Sequence, residues 1–547
     1  MAPLPATDHD MPAETARVMH AAFPKGHPYM SIRYELGPVY ANDEFSALFS
    51  LRGAPAESPG RLALITVLQF AEGLSDRQAA TAVAGRLEWK FLLGLELTEP
   101  GFHFSVLSAF RQRLVAGNAE LQLLDLLLER FTERGLLHAR QPQRTDSTHV
   151  LEAVRSLNRL ELVGETLRAA LNDLATVIPD WLQAQTPADW YVRYAERFEA
   201  HALPHGEAAR VALALRIGHD GQQLLSRLYA DPDCASLRQA PAVEALRQIW
   251  LQNYAWLEGQ LQWRQAGNLP SAAQMIRSPY DLDSRYGTKR ALSWGGYQTT
   301  LSEICAVDEP HFITHVLTSP ATDSDVSHTA PIQQALVDKQ LPPSTHLADS
   351  GFLSAELCVE SQQTWQIELL GPLRPDSSWQ ARAGEGFDGA HFQVDWAAQR
   401  VTCPQGQLSC SWSPRQSRGH PSIEVRFATA DCAACACRAQ CTQAQGARTL
   451  HLLPQSAYEA LQAGRTCMSD PLFKARYARR AGVESLISQG VRAFELRQTR
   501  YRGLAKTQLQ QVAIAAAINL KRLADWLSAP LKLRSRQSCF AALAPAA

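Results

Sequence analysis

Hydrophobic positions recur at helical spacing through the first quarter of the chain. In PGRLALITVLQFAEG, Leu62, Ile65, Leu68 and Phe70 fall near one face, the stripe of a helix packed on one side. LSDRQAATAVA follows the Gly73-Leu74 break with Ser75 placed to cap it, and Ser105 is placed to cap VLSAFRQRLV. Two short helices around a tight break, then one carrying Arg111 and Arg113, have the layout of a helix-turn-helix or of a plain helical bundle. The Pro- and Ala-rich residues 1–30 predict little order.

The period then changes. RTDSTHVLEA alternates β-branched residues and predicts a short strand through Asp146, whereas residues 153–270 return to helical spacing. GGYQTTLSEICAV and HFITHVLTS predict a hairpin split by Asp-Glu-Pro. APIQQALVDKQL predicts a helix, STHLADSGF a strand ending at Asp349, and WQIELLGP another strand. Without the helical insertion, these form a mixed sheet with helices packed on it. Residues 372–470 are irregular and rich in Gly, Trp and Cys, as a second insertion would be. A helical block follows to residue 527, then a tail over 528–547 expected to be flexible.

At 547 residues the chain has room for about three or four domains. Its net charge of −1 gives no global sign of a polyanionic partner, so a basic surface must be local. Leu472 to Lys506 is such a place, with nine Lys or Arg against two acids. No run approaches the ~18 apolar residues of a membrane span. MAPLPATDHDMPAE lacks the pattern of a secretory signal, and eleven scattered cysteines do not suggest a disulfide framework. These features together predict a reduced, cytoplasmic protein with no membrane partner.

Glu484 is the anomaly in the basic segment, because a carboxylate repels phosphate unless it holds a metal against it. It borders an apolar stripe of Val483, Leu486, Ile487, Val491 and Phe494. Asp146 within a strand and Asp349 before the Ser350-Gly351 turn are its candidate partners. Phosphodiester chemistry uses such carboxylates to hold two hard cations about 3.5–4 Å apart. Taken singly, an Asp at a strand end is more often a turn former or helix cap, and a Glu after an Arg on a helix more often a surface ion pair.

Several segments together carry a resemblance: RTDSTHVLEAVRSLNRLELVGETLRAALN, SPYDLDSRYGTKR, THLADSGF, VTCPQG, CAACACRAQCT and RAGVESLISQGVRAFELRQTRYRGLAKTQLQQVAIAAAINLKRLADWL. The chain resembles bacterial insertion-sequence transposases of the DDE type, close to the insertion-sequence 1182 group. The resemblance implies an α/β, ribonuclease-H-like catalytic domain over 141–371 and 471–527, interrupted by the helical insertion 153–270 and the Cys-rich insertion 372–470. It also implies a helical DNA-binding domain over 1–140. Asp146, Asp349 and Glu484 would be the catalytic triad holding Mg²⁺ or Mn²⁺. The expected partner is double-stranded DNA, as element ends and as target, bound by a homo-oligomer; nucleoid association would follow.

Tyr477, Arg480 and Glu484 also fit a broader transposase signature, whose final Lys falls here on Val491 beside Arg492. Arg480, Arg492, Arg497, Arg500, Arg502 and Lys506 are then expected on the DNA backbone, with Tyr477 beside them. The implied reaction is cleavage at element ends followed by strand transfer into target DNA. A nuclease without strand transfer and a catalytically dead DNA-binding protein are the alternatives.

Cys432 and Cys435 form a Cys-x₂-Cys pair, with Cys441 downstream and Cys403 upstream. The four are compatible with a tetrahedral structural Zn²⁺ or with free buried thiols, and Cys410 and Cys437 compete as ligands.

Overall fold

The computed structural model describes residues 11–49, 57–384, 386–417 and 419–528. A six-stranded mixed sheet organises it. Gln143–Leu151 lies inside the sheet and pairs antiparallel with the long strand Leu292–Ile304, from Gln143 opposite Ile304 to Leu151 opposite Gly296. On its other side it runs parallel to Thr345–Leu347, which in turn runs parallel to Glu368–Leu370. The remaining edge of Leu292–Ile304 is shared by Arg285–Lys289 and Ile313–Pro320, both antiparallel to it. Gln143–Leu151 is covered on both faces. That explains why Thr and Ser pack inside it beside Val.

The hairpin around Asp-Glu-Pro and the helix Asp325–Asp338 match the hydrophobic pattern. Other details differ. The strand before Asp349 stops at Leu347, and Asp349 sits in the following loop. Arg285–Lys289, and a small hairpin of Tyr254–Leu257 with Gln260–Trp263, are strands of four or five residues whose alternation is too short to read. Helices Ala13–Ala22 and Pro28–Leu36 replace the expected disorder, because Met19 and Met30 bury against Phe91. Ser75 caps its helix reciprocally with Gln78. Ser105 does not cap: it is the first helical residue, and its hydroxyl pairs with His103. Of the tail, only Ser528 is among the described residues.

The helices between Leu151 and Arg285 have a core of their own, built from Leu167, Ile217, Leu228, Ile249 and Tyr254 among others. The Cys-rich segment has a smaller one around Phe392, Val401, Val425 and Phe427. By contrast, the N-terminal helices and one face of the sheet share a single core, in which Phe131 meets Phe312 at a ring separation of 4.2 Å.

The last helix, Leu504–Leu527, runs through that shared core. Its Ala513, Ala515, Ala516 and Ala517 are buried, and small side chains let neighbours approach on every side. Two polar residues on this helix serve the sheet edge. Asn519 accepts from the Ile313 N–H and donates to the Ile313 carbonyl, both at 2.8 Å. Gln508 accepts from the Thr318 N–H at 2.6 Å and donates to the Val316 carbonyl at 3.0 Å. Eleven residues of helix rise about 16 Å, close to the roughly 17 Å of five strand residues. Both amides therefore meet the strand from one helix face and pair an edge that would otherwise be open.

Replacing Asn519 with Leu keeps an apolar helix but strands a buried N–H and C=O. Each unpaired group costs about 1–3 kcal/mol, so the thermal midpoint should fall clearly. An unchanged midpoint would show that this edge finds other partners.

Candidate active site

Asp146 projects from the strand Gln143–Leu151 with its side chain 13% exposed. One carboxylate oxygen accepts from the Ser147 N–H at 2.8 Å, and the other accepts from Arg480 Nη2 at 2.7 Å. Asp349 accepts from the Gly351 N–H at 2.8 Å, and its Oδ2 lies 3.7 Å from the same Arg480 nitrogen. One guanidinium nitrogen thus faces two carboxylates more than two hundred residues apart. Arg480 stands on the short 3₁₀ turn Ala478–Gly482, ahead of the helix Val483–Ala493. Glu484, in the first turn of that helix, is exposed and has no ion pair or hydrogen bond among the described residues. It shares with Asp146, Ser147, Val491, Arg492 and Arg497 an open cleft of about 370 Å³.

Burial pushes the Asp146 carboxyl above its ordinary value, and nearby Asp349 adds to the push; Arg480, the Ser147 N–H and Lys289 oppose it. Burial likewise raises the Tyr477 phenol, whose ring stacks on Phe473. Arg480 opposes that rise, while Asp349 and Asp146 reinforce it.

The position of Arg480 is set from beneath. Arg144, two residues before Asp146, donates to the Arg479 carbonyl at 2.6 Å and pairs with Glu303 at 2.7 Å. Glu303, fully buried on Leu292–Ile304, also takes Arg522 of the last helix at 2.6 Å. Gly482 lies against this guanidinium: a Cβ there would stand 2.1 Å from Arg144 Nη1. Only glycine lets the turn carrying Arg480 lie so close.

The basic segment divides on inspection. Arg492 and Lys506 are exposed and take no partner among the described residues. Arg497 donates to Thr148 at 2.8 Å and lines the cleft. Arg502 lies over Tyr280. Arg500 is engaged with the Leu74 carbonyl, Glu495 and the face of Phe70, tying the segment to the N-terminal helices. Arg111, on the last helix of the helix-turn-helix or bundle layout, is buried and bonds Gln69 and Asp76. Val491 packs partly against the shared core.

Sequence reasoning missed a second group beside Asp146. Asp325, 13% exposed, accepts from Ser147 Oγ at 2.8 Å and from the Gln298 amide. Lys289 Nζ lies 3.3 Å from both Asp325 Oδ2 and Ser147 Oγ. A Cβ on Gly351 would be 2.9 Å from Asp349 Oδ1 and 3.1 Å from Asp325 Oδ2, so the two carboxylates flank one glycine. Lys289 lies in a segment that carried the resemblance, but its five-residue strand gave no pattern to place it.

The carboxylate oxygens of Asp146 and Asp349 suit a hard divalent cation, and both already face one positive charge. As placed, no group of three or more His, Cys, Asp or Glu side chains among the described residues is arranged to hold a metal ion. Glu484 joins Asp146 in the cleft without being gathered with both aspartates. Cys403, Cys432, Cys435 and Cys441 line a single cavity with Phe387, Phe392 and Phe427, whereas Cys410 and Cys437 are not in its wall. All four are free thiols. Burial pushes the Cys441 thiol up; Arg448 opposes this, while Cys432, Cys403 and Cys435 add to it.

Under the site, His346 bridges Thr145 Oγ1 at 2.6 Å and the Gln333 amide at 3.2 Å. Complete burial lowers its imidazole to about 4. The unfolded chain, with an ordinary histidine near 6.5, then binds the proton first. Stability held above pH 6.5 is lost as pH falls toward about 4. His346→Gln should make the pH dependence of the thermal midpoint shallower in that window, by about one proton. An identical slope would mean that His346 titrates normally.

Residues 402–524, which include Arg480 and Glu484, match a family model described as a Transposase DDE domain. Residues 17–113 match one described as a Transposase domain, DUF772. Asp146 and Asp349 lie outside both matches. No curated protein and no solved structure matches the chain. Among the described residues no helix is long and apolar enough to cross a membrane. The two matched segments support an insertion-sequence transposase acting on DNA in transposition.

Proposed function

We propose that this chain is a DDE-type transposase that cleaves DNA at the ends of an insertion sequence and joins the freed end to target DNA. The observation that carries the reading is the convergence of Asp146 and Asp349 on one Arg480 nitrogen, beside a cleft that Asp146 shares with Glu484. The strand order, with the antiparallel strand Leu292–Ile304 on one side of Gln143–Leu151 and two parallel strands on the other, supports a ribonuclease-H-like arrangement of the catalytic domain.

In this reading Asp146, Asp349 and Glu484 would hold Mg²⁺ or Mn²⁺. The metal's charge would stabilise the attacking and leaving oxygens of an in-line displacement at phosphorus. Arg480 keeps the two aspartates facing one another and offers a guanidinium fork to a phosphate entering the cleft. Arg492 and Arg497 flank the same opening, where contacts to phosphate give affinity and register without reading sequence. Water attacks the phosphodiester at the element end and releases a 3′-hydroxyl, which then attacks a target phosphodiester in the same cleft. Cys403, Cys432, Cys435 and Cys441, which line one cavity, would be the ligands of a structural Zn²⁺ supplementing the small core of their segment. The helices before residue 140 bind DNA, and the protein works as a homo-oligomer on paired ends.

The test uses purified protein, Mg²⁺ or Mn²⁺, and a labelled duplex taken from the DNA bordering its own coding sequence. Wild type should nick the ends and give joined product. Asp349→Ala should lose both by more than the roughly 10–100-fold typical of outer-sphere partners. Nicking without joining would identify a nuclease, and binding without cleavage under either metal a DNA-binding protein that has lost catalysis.

A further inference from the structure

The signature's lysine position is filled by Val491, which lines the cleft but has no side-chain donor to offer a phosphate. A lysine nonetheless stands beside Asp146, delivered from a different element. Lys289 ends the strand Arg285–Lys289, and the tight turn after it places Arg290 at φ 57°. Its ammonium has three protons. Two are directed at Asp325 Oδ2 and Ser147 Oγ, each at 3.3 Å, which leaves a third donor for an anion. The side chain is 48% exposed, so that donor is open to solvent.

Its seat is fixed rather than a loose surface pair. Asp325 is largely buried and is held by Ser147 Oγ and Gln298. Ser147 in turn follows Asp146 and lines the same cleft. Lys289 also counts among the charges that favour the ionised form of Asp146, which places its field within the site.

We propose that Lys289 contacts a DNA phosphate at this site, with Asp325 and Ser147 as the positioning residues that hold it. The proposal rests on the transposase reading. Its recognition is of a phosphate of double-stranded DNA, made by charge and independent of base sequence.

The experiment measures affinity against salt for the duplex bordering the coding sequence, without divalent metal, so that binding is read rather than catalysis. Each neutralised phosphate contributes a slope of about −0.9 in log K against log salt. Lys289→Gln should lower affinity several-fold and make the slope shallower by about 0.9. Lys289→Arg should restore it, and Lys521→Gln, which alters an exposed pair with Asp525, should leave it unchanged. Equal thermal midpoints keep a binding loss from being read as misfolding. If wild type binds with a salt-dependent slope that Lys289→Gln does not change, Lys289 is only a surface ion pair and the proposal fails alone. If wild type shows no salt-dependent binding, the proposal and the transposase reading fall together.

Discussion

Glu303 is a fully buried carboxylate held between Arg144 and Arg522, and the candidate site depends on it. Taking such ions out of water costs several kcal/mol each, and only close geometry with further hydrogen bonds offsets it. Here that geometry involves four parts of the chain. Arg144 comes from the strand of Asp146, Glu303 from its antiparallel neighbour, and Arg522 from the last helix. Through its second nitrogen Arg144 also grips the Arg479 carbonyl, beside Arg480. The buried triad therefore fixes the distance between the first aspartate and the arginine that faces it. A hydrophobic replacement of similar volume could pack as well. It would not hold the turn at Arg479 by a directed bond.

The last helix makes the same point at the scale of the whole domain. It pairs the edge Ile313–Pro320 through Gln508 and Asn519, fills the core shared with the N-terminal helices, and supplies Arg522. Arg500, ahead of it, bonds the Leu74 carbonyl. The N-terminal helices are thus packed into the sheet's core rather than hung from a linker. The helices between Leu151 and Arg285, and the segment around Phe392 and Val425, pack on cores of their own.

Much of this was legible where the signal is local and periodic. The strand through Asp146, the hairpin after it, the helix Asp325–Asp338 and the amphipathic helix bearing Glu484 all follow from spacing. A sequence counts charges but does not say which have partners in the fold: Arg500 bonds the Leu74 carbonyl, and Arg502 lies over the Tyr280 ring. Arg111 gives the same lesson inside the N-terminal helices, where its neighbours Gln69 and Asp76 draw it inward. Lys289 and Asp325 were invisible for a related reason. Their meaning comes from Ser147, and nothing in the one-dimensional pattern links residues 147, 289 and 325.

The way the chain returns to the sheet after its helical excursion explains how such a link arises. The chain leaves the sheet after Leu151 and comes back at Arg285, and the two ends are fastened together. Glu152 donates its N–H to the Gly295 carbonyl and accepts from Ser284, while Tyr297 donates to Asp281 at 2.6 Å. Asp283 accepts from the Leu504 N–H at 2.9 Å, which ties the returning loop to the start of the last helix. The first residues beyond this clasp are the strand that ends at Lys289. Closing the ends locally keeps the entropic cost of a long excursion small. The same closure fixes the direction in which the chain re-enters the sheet. An excursion anchored in this way delivers the strand that follows it, and the lysine on that strand, to a constant place beside Asp146.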